Sequence, residues 1–199
     1  TQLEALDGTG RITALGREMA ALPLHPRLSH MLLQAKATGH GALACDLAAL
    51  VSERDILRRA QDADVRTRLE IIAARRSESA VPVNRGALMR VRETSADLRR
   101  QLKVKGGGGA SVAQAGPLLA LAYPDRVAQQ RGGRGRYRLA GGGGAFLPES
   151  DPLAASEFLV AAELEGDARE GKIFLAAPLT AADIERQFAG AITDVTTTE

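Results

Sequence analysis

The chain has 199 residues, 45% of them hydrophobic and 25% charged, proportions that suit a globular protein of one or two domains with a sizeable core. One cysteine, Cys45, excludes an internal disulfide framework and fits a reducing compartment, and no apolar run approaches the roughly 20 residues that span a bilayer. The net charge of +2 conceals a polarity: residues 83–140 hold 12 basic and 3 acidic side chains, and residues 141–199 hold 3 and 11. A block this basic sets up a local positive field whatever the total. Either it is a solvated face paired with the acidic C-terminal part, or it is a track for nucleic-acid phosphates.

From the N-terminus, Asp7-Gly8-Thr9-Gly10 reads as a turn, since Asp and Gly tolerate left-handed backbone. Ile12 is extended and Thr13 is an N-cap. Leu15, Met19 and Leu22 follow at helical spacing. Pro23 and Pro26 stop that helix and start another, whose buried stripe is Leu28, Met31, Leu32 and Ala35. Gly39-His40-Gly41 breaks it. Residues 42–60 read as one helix carrying Leu43, Leu47, Leu50, Val51 and Leu57 on one side, with Ser52–Asp55 a charged patch inside it. Glu53 and Asp55, two apart on a helix, face different ways and suit ion pairing better than acid–base catalysis.

A further helix covers 63–76, with Val65, Leu69 and Ile72 inward and Arg66, Arg68, Arg75 and Arg76 around it; Val81-Pro82-Val83 ends that unit. The helix over 84–104 has a seam of Leu88, Val91, Ser95, Leu98 and Leu102, flanked by a basic row of Arg85, Arg92, Arg99 and Lys103. That row either lines a groove or snorkels around a bundle. Gly106–Gly109 is a joint rather than a phosphate loop, because no Gly-Lys-Ser/Thr follows it. A last helical segment covers 111–122, with a kink at Gly116-Pro117.

Beyond Pro124 the period becomes two. Strands are predicted at 126–130, 136–140, 145–147, 157–164 and 172–177, and Thr180 with Asp183 makes a capping box for a short helix. Arg131, Arg134, Arg136 and Arg138 surround Tyr137, an arrangement that suits a basic groove with a stacking ring and equally a solvent-exposed hairpin. With aromatics at 3% and no Trp, stacking rests on few rings.

The string over residues 3–32, LEALDGTGRITALGREMAALPLHPRLSHML, resembles the segment that follows the motor domains of DEAH-box helicases. Residues 47–55 (LAALVSERD), 118–131 (LLALAYPDRVAQQR), 137–154 (YRLAGGGGAFLPESDPLA) and 172–179 (KIFLAAPL) resemble the bacterial HrpB branch of that family. The resemblance implies an α+β, multi-domain arrangement: a winged-helix remnant at 1–38, a helical ratchet bundle (the helicase-associated domain) at 39–122, and a small OB-like β-barrel at 123–199, incomplete at its C-terminus.

It further implies an accessory region that closes a single-strand channel over the motors and couples strand position to ATP-driven unwinding. The expected partners are single-stranded nucleic acid, RNA before DNA, together with the chain's own motor domains and a further C-terminal region. No membrane partner is expected. The contact residues implied are Arg85, Arg92, Arg99 and Lys103 on the helix and Arg134, Arg136 and Arg138 on the barrel. A protein-docking role for the barrel and the acidic 149–170 region is the alternative, and salt dependence separates the two. A free-standing winged-helix regulator is disfavoured, because the opening unit is too short for it.

No P-loop and no Asp-Glu-x-His string is present, and His25, His30, His40 and Cys45 lack metal-ligand spacing. No catalytic residue, cofactor or metal is therefore expected in this piece, ATP and Mg²⁺ belonging to motor domains outside it. The chain begins with Thr, as a fragment would, lacks a secretory n- and h-region, and is expected in the cytoplasm.

Overall fold

The structure is a computed structural model and describes residues 3–58, 60, 62–74, 82–104, 111–166 and 170–189. Asp7 opens it as an Asx turn: its Oδ1 accepts from Thr9 N at 2.8 Å and Arg11 N at 3.0 Å, and the returning chain forms the Leu6–Ile12 bridge. Accepting these hydrogen bonds, the Thr9 hydroxyl's first among them, lowers the Asp7 pKa. Thr13 Oγ1 then accepts from Gly16 N and caps α1 (Ala14–Ala20).

Helix α2 (Pro26–Ala37) starts on a proline and buries Leu28, Met31, Leu32 and Ala35, the expected stripe. It ends at Gly39, whose φ of +80° is the left-handed conformation that a helix C-terminus requires and that glycine adopts without strain.

Helix α3 (Gly41–Ser52) is rich in Ala and Leu and is buried on most sides. It stops at Ser52, eight residues short of the expected end, because Ile56, Leu57 and Arg58 are held by tertiary partners that no helix would permit. Leu57 bridges Val83, Ile56 O accepts from Asn84 N at 2.7 Å, and Pro82 O accepts from Arg58 N at 2.9 Å. Helices α4 (Val65–Ala73) and α5 (Arg85–Gln101) complete the bundle, and all five seam residues of α5 and its C-cap are buried. The Gly106–Gly109 joint, Arg75, Arg76, Val81 and the chain end at 196–199 lie outside the described residues.

A 3-10 turn at Val112–Gln114 leads into α6 (Ala115–Ala122). Pro117 therefore falls in the first turn of α6, where its missing N–H has no helical acceptor anyway. The expected kink at Gly116-Pro117 is replaced by a 3-10 to α junction ahead of it, between Gln114 and Ala115, and α6 runs unbroken through Pro117.

Five strands follow: β1 (Val127–Gln130), β2 (Arg136–Leu139), β3 (Gly144–Phe146), β4 (Phe158–Gly166) and β5 (Glu170–Leu179). They form a closed barrel in the order β1-β2-β3-β5-β4, antiparallel except for the parallel β3–β5 pair. Closure corrects the expectation of an incomplete barrel. One end of β4 pairs on both sides, Val160 with Val127 of β1 and with Ala177 of β5, so the ring needs no later strand. Its interior is filled by Ala128, Tyr137, Ala145, Leu147, Leu159, Ala161, Ile173 and Ala176.

Thr180 and Asp183 form the expected capping box on α7 (Ala181–Phe188). Bundle and barrel share one apolar core, since Val160, Ala162, Leu175, Ala177 and Leu179 cluster with the helices. They are joined twice. Helix α6 packs on β4 and β5, and residues 62–64 reach across the barrel, where Ala63 N donates to Asp151 Oδ2 at 2.8 Å, Ala63 O accepts from Ala176 N at 2.8 Å, and Asp64 bridges Ala176.

Candidate nucleic-acid interface

The basic row of α5 divides in two. Arg92, half-buried, donates to the carbonyls of Ile71, Ile72 and Ala74 and so satisfies the acceptors left at the C-terminal end of α4. Arg99 Nη2 donates to Asp46 Oδ2 at 2.6 Å and to Ala42 O at 3.3 Å, while Asp46 Oδ1 also accepts from the Ser95 hydroxyl at 2.5 Å. Both guanidiniums hold α5 against its neighbours. Arg85 and Lys103, at the two ends of the helix, are exposed and make no side-chain hydrogen bond or ion pair among the described residues. Lys103 takes a φ of +54°, a left-handed conformation just past the helix end.

The patch at the end of α3 is also structural. Arg90 Nε donates to Glu53 Oε2 at 3.0 Å. Arg68, predicted on the outside of its helix, is instead completely buried, and its guanidinium takes Asp55, Asp62 and the Asp64 carbonyl together. Ion pairing is what Glu53 and Asp55 do, but across loops rather than within a helix.

On the barrel, β2 alternates as its period requires: Arg136 and Arg138 point outward and Tyr137 points in. Tyr137 is 3% exposed, and its hydroxyl donates to Leu153 O at 2.8 Å with Ser156 O alongside at 3.0 Å. Burial, first of all, raises its pKa. A base cannot reach this ring, which corrects the expectation that Tyr137 serves as the stacking surface among the arginines.

Arg134 Nε donates to Glu149 O at 3.0 Å and remains exposed. Arg136 pairs with Glu170 and lies over the Phe146 ring, 5.4 Å from its centroid. Arg138 is exposed without a side-chain partner among the described residues. With Arg131 it walls a groove of about 300 Å³ whose floor includes Leu139, Phe158 and Ile184.

Cross-strand register brings further residues to this face. Arg136 stands opposite Phe146, and Phe146 stands opposite Lys172 of β5. Two residues along β5, on the same side of the sheet, Phe174 is 40% exposed with Lys172 Nζ 5.0 Å from its ring centroid. Phe146, Lys172 and Phe174 belong to the surface but not to the set read from sequence. The signal was present in the alternation of Glu170-Gly-Lys-Ile-Phe, which puts Lys172 and Phe174 on one side. Only the β3–β5 pairing shows that Phe146 joins them.

Beside Phe174 lies a recess of about 370 Å³ between the barrel and the segment after α3, lined by Glu53, Asp55, Asp62, Asp151 and Glu163 as well as Arg54 and Lys172. Its acids are mostly occupied by Arg90, Arg68 and the Ala63 and Leu153 amides. Where bundle meets barrel, Arg27 pairs with Asp125 and lies over Tyr123 from one side, with Arg126 on the same ring at 4.9 Å. Burial alone would raise the Asp125 pKa, but the hydrogen bond and charge of Arg27 outweigh it, and the pKa is lowered. No group of His, Cys, Asp and Glu suited to a metal ion occurs among the described residues, and no helix described is long and apolar enough to cross a membrane.

Comparison with known proteins gives three findings. Residues 1–24 match the winged-helix part of the helicase associated domain (HA2). The chain is 37% identical over 159 residues to the ATP-dependent RNA helicase HrpB of Escherichia coli K12, a match covering 80% of this chain and 17% of that protein. Two crystal structures of E. coli HrpB superpose with TM-scores of 0.76 and 0.73, each at 33% identity, covering 95% and 90% of this chain and 21% of theirs. The chain thus spans about a fifth of the length of the relatives it matches.

Proposed function

We propose that this chain, which belongs to the HrpB-type DEAH-box helicases and corresponds to their helicase-associated region, is the part of such an enzyme that holds single-stranded nucleic acid beside the motors. On this reading residues 1–38 are the winged-helix remnant, 39–122 the ratchet bundle and 123–199 an OB-like barrel. The strand-order of the closed barrel supports the last assignment. ATP hydrolysis and Mg²⁺ belong to the motor domains, and RNA is the favoured strand because the E. coli relative is described as an RNA helicase.

The observation that carries the proposal is a set of exposed cations that have no acidic partner among the described residues, Arg131 and Arg138 on the barrel with Arg85 and Lys103 at the ends of α5. Phosphates would be neutralised there, independently of sequence. Arg134 and Arg136 extend the set, because their present contacts are exposed and exchange with a phosphate at little cost. Arg92 and Arg99 contribute by fixing the bundle.

The test is fluorescence anisotropy with labelled RNA and DNA single strands at two salt concentrations. Affinity should fall steeply as salt rises, and Arg131→Gln/Arg138→Gln should lower both the affinity and the salt slope, each lost phosphate contact removing about one unit of slope. Failure of the folded parent to bind either strand at low salt rejects the proposal and favours a protein-docking role.

A further inference from the structure

We propose that the outward face of β2, β3 and β5 is a base-stacking platform, on which Phe146 and Phe174 each receive a nucleobase while Arg136, Arg138 and Lys172 hold the phosphates between them. The inference rests on the nucleic-acid reading above and names the part of the ligand that this face takes.

Four observations converge. The sequence is poor in rings, with 4 Phe, 2 Tyr and no Trp, and both tyrosines are buried, so an exposed phenylalanine has no rival as a stacking surface. Of the phenylalanines, Phe174 is the most exposed, at 40%. Its position is conspicuous in physical terms: the flanking Ile173 and Leu175 point into the protein, and this outward ring serves no core.

The second observation is register. Phe146 is opposite Lys172 on the parallel pair, and Phe174 is two residues further on the same side. Strand spacing and rise put the two residues about 8 Å apart, a separation that an extended single strand can match with successive bases.

The third is the alternation of ring and cation. Arg136 lies over Phe146 and Lys172 over Phe174, at 5.4 and 5.0 Å. A cation beside each ring meets the phosphate next to a stacked base, and it can slide from the ring to that phosphate without being desolvated.

The fourth is the charge gradient across the face. On the β2 side stand Arg134, Arg136 and Arg138, whereas the recess beyond Phe174 sets Glu53, Asp55, Asp62, Asp151 and Glu163 beside Arg54 and Lys172 and so offers phosphate no net positive charge. The backbone of the strand therefore follows β2, and its bases lean towards β5. No base edge is read, so the contact tolerates any sequence.

The experiment compares a fluorescein-labelled oligothymidylate, an oligouridylate, and an abasic deoxyribose-phosphate strand of equal length, on the parent chain and on Phe174→Ala and Phe174→Tyr. A strand carrying 2-aminopurine reports stacking directly by quenching. The parent should bind the base-bearing strands about tenfold or more tightly than the abasic one and quench 2-aminopurine. Phe174→Ala should lose that preference, a loss of roughly tenfold, with an unchanged melting temperature. Phe174→Tyr should restore it.

Equal affinity for base-bearing and abasic strands, or an unchanged Phe174→Ala, overturns the platform while leaving phosphate binding intact. If the parent binds none of the strands at low salt, the nucleic-acid reading falls, and the platform with it.

Discussion

Arg68 Nη1 donates to Asp62 Oδ1 at 2.6 Å from a side chain with no exposed surface. The same guanidinium also takes both oxygens of Asp55, at 2.9 and 3.3 Å, and the Asp64 carbonyl at 3.0 Å. One planar fork thus ties the loop after α3 to the start of α4, and through residues 62–64 to the barrel. Arg68→Met keeps the volume but leaves two acids without their cation, and should lower unfolding free energy by about 3 kcal/mol in urea titration. Arg68→Lys should recover little of this, because a single ammonium cannot span both carboxylates in the same geometry.

Arg92 and Arg138 should separate stability from binding. Arg92→Ala strips the donor from three carbonyls at the end of α4 and should cost about 1–2 kcal/mol. Arg138→Ala removes an exposed side chain and should leave the urea midpoint unchanged while weakening strand binding. A stability loss in Arg138→Ala, or none in Arg92→Ala, would reverse these assignments.

Gly116 faces the barrel so closely that a Cβ there would lie 2.1 Å from Pro178 O. Gly116→Ala must push α6 away from β5 and should destabilise the fold by about 2 kcal/mol or more. The thermal midpoint of that variant checks it, with an exposed control at Ala182.

The pH dependence follows from Asp125. Its folded pKa lies below the ordinary value of 3.8, so the folded state binds this proton less readily than the unfolded chain does. The resulting stabilisation is complete above pH 3.8 and is lost as pH falls through the lower, folded value. Asp125→Asn should flatten the acid side of a stability–pH curve below about pH 4 and leave its neutral side parallel to the parent's.

Cys45 gives a kinetic check on the bundle. Burial is the main cause pushing its thiol up to about 12, and the side chain has no exposed surface. A thiol reagent should therefore modify the native chain only as fast as the bundle opens, and Arg68→Met should accelerate the reaction.

Much of this was legible in the sequence because local chemistry determines it. The seam from Leu88 to Leu102, the caps at Thr13 and Thr180, and the strand alternation each depend on residues within a few positions of one another. Errors arose where distant partners decide. The helix expected to run to residue 60 ends at Ser52, because Ile56, Leu57 and Arg58 bond to residues 82–84.

The helical pattern placed Arg68 outside since arginine is rarely buried, and nothing nearby announced that two acids and a carbonyl converge on it. Tyr137 was read as surface because arginines flank it, although strand pleating sends the residue between two outward arginines inward. The same pleat, combined with a parallel pairing that no short-range pattern reveals, assembles Phe146, Lys172 and Phe174.

The excursion of residues 62–64 onto β5 has a mechanical corollary. The shared core and the α6 packing already hold the strand ring against the helices, and a second fastening 60 residues before Tyr123 adds a directional restraint on swivelling, as a plate bolted at two points cannot pivot. Calorimetry should accordingly record one endotherm for the whole assembly instead of two. A torque delivered to either layer would reach the other without lag.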